Sequence, residues 1–466
     1  MNKVPNFCSF KLIVLLLFIA ISAKSQQSRT LFFMHNVPQA SYVNPAIQPS
    51  CKYFIGVPVL SSLYANGSST GFAYNDLVGF NPQAFVSNLH SVDFLTIETH
   101  INIISLGYKR NDYYYSFNIA EKVFGTGFFP KILLDLAVNG NEQFIGDPLV
   151  TRSIGANATH LREYAFGISQ KVSDDYTWGL RGKLLFGKAN VTTSRRPLLF
   201  STDEVNYNLY TEWGFQVNSS IPLNVTKLPN GNVDGVELGE INPISYLLNR
   251  SNLGFAADFG FIYTNDKTTW SGSVIDFGFV NWQSDTREFT NTGSFAFSGI
   301  TINDALDVDN FVQSLRDSLT NQINVKEKAK SYTSMLPTKV NIGATYSFHT
   351  KFNAGVLVRT EFYPRRPVPS LTLSLNTKNT KKVFAGVSYS VMNGSFLNFG
   401  IGVGVRLGAF GLHVVSDNVV AFFSPQNAHT ANARFGMDFV FGCSEKRKGF
   451  KYSGPGCNWE QQPRKP

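Results

Sequence analysis

The chain has 466 residues, of which 43% are hydrophobic, 14% aromatic and only 16% charged, against about 25% charged residues in an average soluble domain. This composition excludes a disordered chain, and the wealth of Phe, Tyr and Gly excludes a helical bundle or a coiled coil. The formal net charge is +9, but the basic residues are scattered, so the charge does not indicate nucleic-acid binding.

The N-terminus predicts a secretory signal peptide over residues 1–25. Two lysines precede an apolar stretch at 12–21, and the small residues Ser22-Ala23 follow it. A retained anchor helix is the alternative, but the apolar stretch is short for one. Behind residue 25 no apolar run approaches the roughly 18 residues of a spanning helix, so a helical membrane protein is excluded.

Residues 26–51 are predicted to form an N-terminal segment that packs against another part of the molecule. The run Leu31-Phe32-Phe33-Met34 is too apolar for a free tail, and the prolines that follow oppose a strand. The lumen of a barrel would remove the apolar side chains of this segment from water, so we expect the segment to lie there as a hatch.

A short motif in this segment resembles the mature N-termini of two families of outer-membrane barrels. Its residues are Ala40, Ser41, Asn44, Pro45 and Ala46. A similar Ala-Ser plus Asn-Pro-Ala motif occurs in the FadL-type long-chain fatty-acid transporters and in the PorV-type barrels of type 9 secretion. Those families continue with Gly and small residues, whereas residues 47–50 here read Ile-Gln-Pro-Ser. The chain looks most like the uncharacterised members of this superfamily in bacteria with type 9 secretion, which implies a 14-stranded barrel with a segment in its lumen.

Residues 52–442 show a period-two pattern that predicts long antiparallel strands. Over 399–407 every odd position is apolar, whereas the even positions are Gly or Arg. Similar dyads occur at 178–187, 252–263, 339–348 and 434–441. They run about nine to twelve residues, the length of a tilted membrane strand. We therefore predict an all-β fold, a transmembrane antiparallel β-barrel of 14 to 16 strands in the outer membrane, with a secreted β-sandwich as the alternative.

The alternation also assigns side chains to the two faces of the wall. Val403 is predicted to face lipid and Gly402 the lumen, so we expect Val403→Arg to be severe and Gly402→Ser mild. Aromatic residues near the inferred strand ends predict interfacial girdles: Trp178, Tyr263, Trp270, Trp282 and Tyr346. The charged residues predicted to face the lumen, where they could pair across a closed interior, are Arg181, Lys183, Asp258, Arg359, Glu361, Arg406, Arg434 and Asp438.

The links between strands predict two unlike rims. Short polar turns are expected on one rim at 110–112, 173–175, 283–285, 349–351, 376–380 and 407–409. Two links break this rule, because 265–267 is short on the other rim and 224–251 is long on the short-turn rim. Amphipathic spacing predicts short helices at 308–322 and 129–138.

Three cysteines remain after the signal peptide, and two of them bracket a basic segment. Cys443 and Cys457 enclose four Lys or Arg residues within the tail 443–466. A disulfide between them is one interpretation and two free thiols in a frayed tail are the other. An even number of strands places this tail on the periplasmic side. The role of Cys51 stays open.

No motif predicts an enzyme, a metal site or a cofactor. The sequence has neither an HExxH motif nor a Gly-x-Ser-x-Gly elbow, and its histidines are isolated. Two functions therefore stand. The first is uptake of a hydrophobic compound bound among lumen residues and the N-terminal segment, and the second is a closed scaffold for secretion or surface-protein attachment. Outer-membrane lipid and lipopolysaccharide are the expected surroundings.

Overall fold

The structure is a computed structural model that describes residues 29–443, except 74–75, 77–80, 147, 153–154, 195–196, 298–323, 364–365, 379, 381, 393–394 and 425–427. Its strands are β1 (Cys51–Gly56), β2 (Leu63–Ser69), β3 (Val92–Arg110), β4 (Tyr113–Pro130), β5 (Leu149–Arg152), β6 (Gly155–Lys171), β7 (Tyr176–Ser194), β8 (Pro197–Thr202), β9 (Leu209–Ser220), β10 (Leu223–Lys227), β11 (Val233–Leu238), β12 (Asn252–Asn265), β13 (Thr268–Trp282), β14 (Thr286–Phe297), β15 (Lys326–Lys328), β16 (Tyr332–Met335), β17 (Thr338–Tyr346), β18 (Phe352–Tyr363), β19 (Arg366–Thr377), β20 (Val383–Met392), β21 (Ser395–Leu407), β22 (Phe410–Ser416) and β23 (Thr430–Cys443).

Five short helices accompany the strands in the described residues. They are α1 (Arg29–Phe33), α2 (Pro82–Asn88), α3 (Lys131–Asn139), α4 (Pro243–Leu248) and α5 (Val420–Phe423), and a 3-10 turn covers Pro38–Tyr42. Helix α3 confirms the prediction at 129–138, whereas 308–322 lies outside the described residues. No helix in the part that the structure describes is long and apolar enough to cross a membrane.

Fourteen antiparallel strand positions close into a barrel. Strands β1 and β2 together occupy the first position. The following positions are taken in chain order by β3, β4, β6, β7, β12, β13, β17, β18, β19, β20, β21, β22 and β23. Strand β23 pairs with both β1 and β2, for example Ile55 with Phe439 and Asn66 with Asn432, so the last position meets the first. The prediction of a transmembrane antiparallel barrel with 14 strands is confirmed.

The two rims differ in their links as expected, with three corrections. Six hairpins, including 265–267, turn on the rim that carries Cys51 and Cys443. Residues 265–267 are therefore no exception, and the long link 224–251 lies on the opposite rim. Residues 283–285 also lie there, because β14 does not return down the wall but pairs with β9 above it.

A second sheet extends the wall beyond the long-link rim. Strand β9 pairs with the upper end of β7 and with β8 and β14, while β5 joins β8 and β15 joins β14. We call this sheet, together with the β10–β11 hairpin, the platform. Lys330 and Lys328 lie against the Glu288 carboxylate and hold its pKa below its usual value.

The wall places apolar side chains outside and small or polar ones inside. Ile401 and Val403 are exposed on the outer face, whereas Gly402 faces the lumen, as predicted. Tyr263, Trp270 and Tyr346 are exposed near the short-turn rim, as an interfacial girdle requires. Trp282 does not join a girdle. It is fully buried inside the barrel, where it packs in a cluster with Phe124, Leu161, Leu185, Ala256, Val280 and Leu336.

Candidate functional site: a plugged and charged lumen

The lumen is occupied on the short-turn side by residues 29–48, which we call the plug. Leu31, Phe32, Phe33 and Met34 are each no more than 5% exposed and form an apolar cluster with wall residues such as Leu357 and Phe384. Helix α1 lies against β19, β20, β21 and β22. The predicted position of the N-terminal segment inside the barrel is confirmed.

The start of the plug is held by a carboxylate of the wall. Asp417 accepts hydrogen bonds from the backbone N–H groups of Arg29, at 3.1 Å, and Thr30, at 2.8 Å. The Arg29 guanidinium is fully buried and donates from Nε to Ser370 Oγ at 3.0 Å. Charge-assisted bonds of this kind are stronger than neutral ones, so they fix where the plug begins.

Inward-facing glycines make room for the plug. A Cβ atom on Gly343 or Gly355 would lie 2.8 or 2.5 Å from the Phe32 or Phe33 ring, and one on Gly402 would lie 2.3 Å from Met34 Sδ. A serine at Gly402 therefore requires the Met34 side chain to move, and the expectation that Gly402→Ser is mild stays a prediction. Gly402 faces the lumen, but the plug fills the lumen at that point, so a larger side chain must displace part of the plug.

The Asn-Pro-Ala motif forms the far end of the plug. Asn44 accepts from the Ala46 N–H through Oδ1 at 3.0 Å and donates from Nδ2 to the Phe261 carbonyl at 3.2 Å. Pro45 packs against Gly179, and Arg181 Nη2 donates to the Ser41 carbonyl at 3.0 Å. Ala40 and Ala46 are buried. The five motif residues thus dock the plug on the wall, which explains why small residues, one amide and one proline occur together.

Above the plug, a layer of buried ion pairs crosses the lumen. Lys183 Nζ lies 2.7 Å from Asp258 Oδ1 and 2.6 Å from Asp276 Oδ1, and Lys122 Nζ lies 2.6 Å from Glu163 Oε2. Lys122 also reaches Asp276 at 3.0 Å. These groups come from β4, β6, β7, β12 and β13, so one network of ion pairs links five strands.

The other side of this charge layer has its own pairs. Lys339 Nζ lies 2.6 Å from Glu98 Oε1, which also faces His100 Nε2 at 2.6 Å. Arg359 Nε donates to Glu361 Oε1 at 2.9 Å.

The remaining predicted charges lie nearer the plug. Arg181 Nη1 pairs with Asp258 Oδ2 at 3.4 Å, and Arg406 Nη2 pairs with Asp438 Oδ2 at 3.5 Å. Gln39 of the plug donates to Asp438, and Arg434 stacks over the Tyr64 ring with 4.5 Å between Cζ and the centroid. All eight charged residues assigned to the lumen therefore lie inside it.

The described residues enclose two adjoining cavities between the plug and the long-link rim. The larger has a volume of about 60 Å³, measured over the positions that the centre of a water-sized sphere can take. Its ionisable lining in the described chain, apart from His100 and Tyr42, consists of Lys122, Arg181, Lys183, Lys339, Arg359 and Arg434 against Glu163 and Asp276. The smaller, of about 10 Å³ by the same measure, is lined by Phe124, Leu161, Leu336 and Pro337 together with the charged groups Lys122, Lys339, Glu98, Glu163 and Asp276. The lumen is thus lined by ion pairs near the plug, and apolar side chains join them toward the outside.

Comparison with known proteins places the chain in a family. The model of a family of unknown function, DUF5723, matches residues 45–417. The chain belongs to this family. No curated protein matches it.

Among solved structures, the DUF5723 chain is similar to the Pseudomonas putida toluene transporter TodX, with a TM-score of 0.36 and 9% identity over 90% of this chain and 94% of that one. It is also similar to a Pseudomonas aeruginosa FadL homologue, with a TM-score of 0.39 and 10% identity over 91% and 98% of the two chains. The assignment of the barrel rests on the strand pairing of this chain.

Sequence reasoning missed five members of the charge layer: Glu98, Lys122, Glu163, Asp276 and Lys339. Four of them follow the period-two rule of their strands and could have been found by applying it to β3, β4, β6 and β17. Asp276 could not, because the chain bulges there. Its φ is +59°, and the buried positions change from 271, 273 and 275 to 276, 278 and 280.

The cysteine prediction is corrected by the structure. Cys443 forms a disulfide with Cys51, not with Cys457, which lies outside the described residues. Closure of the barrel is the physical reason, because Cys51 begins β1 and Cys443 ends β23, and these two strands pair. The placement of the tail on the periplasmic side stays a prediction.

Proposed function

We propose that this chain is an outer-membrane barrel that binds a hydrophobic small molecule with an anionic end, above a plug that closes the periplasmic side. The observation that carries the proposal is the pair of adjoining cavities, with apolar side chains beneath the long-link rim and six Lys or Arg side chains in the lining beside the plug. A tail would lie among Phe124, Leu161 and Leu336 and be removed from water there. The acidic end would face Lys122 and Lys339.

The cationic groups of the cavity lining favour a ligand with a negatively charged headgroup. Six Lys or Arg side chains line the larger cavity, and the carboxylates that pair with them are Glu98, Glu163, Asp258, Asp276 and Glu361, so among these described groups the cations exceed the carboxylates by one. A cationic headgroup would meet repulsion in this low-dielectric space, whereas a carboxylate would be attracted. The resemblance to FadL-type barrels, whose transported compounds are hydrophobic, supports the same substrate class.

Binding of laurate and dodecylamine, which share one tail length, tests the proposal. We expect calorimetry on the purified full chain in detergent to show laurate binding at least about tenfold more tightly than dodecylamine, a difference of about 1.4 kcal/mol. Leu161→Trp should fill the apolar cavity and weaken laurate binding, since Leu161 is 1% exposed and lines it. Leu180→Trp is the matched control, because Leu180 points outward toward lipid.

Equal binding of the two amphiphiles by folded protein, or equal effects of the two tryptophan substitutions, would contradict lumen binding. Folding of each variant is checked by its heat-dependent shift in gel electrophoresis.

A second candidate is a non-transporting scaffold for secretion or surface-protein attachment, and it also has an observation in its favour. The plug and the charge layer together fill most of the lumen, while the platform offers a broad surface beyond the long-link rim. Deleting the β10–β11 hairpin, residues 223–238, distinguishes the two functions. A scaffold would lose its partner proteins at the cell surface while laurate binding stayed unchanged.

A further inference from the structure

A cluster of charged side chains lies on the outside of the barrel wall, independently of the lumen. It consists of Glu121 on β4, His160 and Arg162 on β6, Lys188 on β7 and Arg250 just before β12, and we call it the outer basic cluster. Lys122, Leu161 and Glu163 face the lumen. Because side chains alternate along a strand, Glu121, His160 and Arg162 must face away from it.

The contacts within the cluster leave a net positive charge. Glu121 pairs with Arg162, and His160 Nε2 lies 3.1 Å from Glu121 Oε2. Lys188 is only 4% exposed, and its Nζ donates to the Asn249 carbonyl at 2.5 Å, beside the exposed Arg250. Two guanidinium groups and one lysine amine therefore stand against one carboxylate.

The height of the cluster on the wall matches the outer headgroup region. Tyr176 begins β7 at the short-turn rim, and Phe186 lies ten residues further along that strand. At a rise of about 3.3 Å per residue and a tilt of about 35–45°, these positions are about 23–27 Å apart along the membrane normal. This equals the apolar band of about 25 Å, so Lys188 lies where the band ends. Arg250 stacks over the Phe186 ring at the same level, with Cζ 6.0 Å from the centroid.

Exposed apolar side chains lie beside these cations. Helix α4 directs Tyr246 toward the cluster, where its hydroxyl lies 2.7 Å from His160 Nδ1. Ile244, Leu247 and Leu248 of the same helix are 69%, 41% and 58% exposed. Apolar side chains next to cations at an interface fit a lipid, with acyl chains against the former and a phosphate against the latter.

We propose that the outer basic cluster binds the phosphate groups of a phosphorylated glycolipid of the outer leaflet, the lipid A part of lipopolysaccharide. The cations come from β6, β7 and the segment before β12, so they lie on three neighbouring strands of the wall. A glycolipid with two phosphates and several acyl chains matches both that spread and the apolar side chains of α4.

Native mass spectrometry of the full-length barrel in detergent, titrated with bisphosphorylated lipid A, tests the site. The double variant Lys188→Gln/Arg250→Gln should lower the affinity by about thirtyfold, since each cation at a lipid surface contributes roughly a factor of five. Arg110→Gln/Lys267→Gln, which removes one Arg and one Lys from exposed turns of the opposite rim, is the matched control and should change it by less than about twofold. Glu121→Gln should raise the affinity, because it removes the only carboxylate of the cluster.

Two lipid controls identify the ligand. Dephosphorylated lipid A should bind the wild-type chain as weakly as the double variant binds lipid A, and phosphatidylglycerol should bind less tightly than lipid A. Equal losses in the two double variants, tight binding of dephosphorylated lipid A, or phosphatidylglycerol binding as tight as that of lipid A would overturn the proposal.

Discussion

Single glycines decide whether the plug fits against the wall. Gly179 and Gly182 lie on the same strand but on opposite faces. A Cβ atom on Gly179 would lie 2.3 Å from the Pro45 carbonyl oxygen, which belongs to backbone and cannot rotate away, whereas one on Gly182 would meet nothing within 4 Å.

We expect Gly179→Ala to weaken the docking of the plug by about 1–3 kcal/mol, as overpacking does, and Gly182→Ala to be neutral. Limited proteolysis of the plug in reconstituted protein measures this difference. Equal protection of the plug in both variants would show that Pro45 moves without cost.

Buried charges are the second feature at the scale of single residues. Lys339 and Glu98 are 9% and 4% exposed, so the ion pair between them is largely shielded from water inside the lumen. Removing one partner of a buried pair leaves an uncompensated charge and destabilises a protein by about 3–5 kcal/mol.

Lys339→Met should therefore lower the free energy of unfolding by about that amount in urea titrations in lipid vesicles. Lys171→Met removes a surface pair with Asp174 and should cost less than about 1 kcal/mol. Adding Glu98→Leu to Lys339→Met should recover part of the loss, and a further loss of similar size would contradict the account.

At the scale of elements, a disulfide joins the two strands that close the barrel. Cys51 and Cys443 are 392 residues apart in sequence, so the bond restricts the unfolded chain over almost its entire described length. Removing a native disulfide typically costs about 2–5 kcal/mol.

We expect Cys51→Ser and Cys443→Ser to destabilise the barrel equally, and the double variant to add nothing further. Cys457→Ser should have no effect on stability. Mass spectrometry of non-reduced peptides should show Cys51 bonded to Cys443, and a Cys443–Cys457 peptide would contradict the structure.

The regular strands could be predicted from sequence, but their partners could not. Strand β21 alternates so clearly that Val403 and Gly402 are assigned to the correct faces. Pairing of β14 with β9 depends on contacts between segments distant in the chain, which the alternation within one strand does not record. This is why 283–285 was expected on the wrong rim. The Cys51–Cys443 pair was missed for the same reason, since it exists only once the barrel closes.

At the scale of the whole molecule, two successive layers obstruct the lumen. The apolar plug packs against the inside of β19 to β22 and is tied to the wall at Asp417 and Gly179. Above the plug, ion pairs link five strands of the barrel. These ion pairs hold the barrel in one shape and also fill its interior. Irregular backbone at this depth is tolerated because protein surrounds it.

Deletion of residues 31–46 should leave a folded barrel that leaks small solutes, because the strands of the barrel pair with one another and not through the plug. Lost burial of Leu31, Phe32, Phe33 and Met34, worth roughly 1.5–3 kcal/mol each, should nevertheless lower its stability. Liposome swelling in arabinose and in a larger sugar, stachyose, measures the leak. The full chain should admit neither, and the deletion variant should admit arabinose faster than stachyose, since the charge layer still narrows the lumen. A folded deletion variant that admits neither sugar would show that the ion pairs alone seal the barrel, and the plug would then serve docking and stability instead of closure.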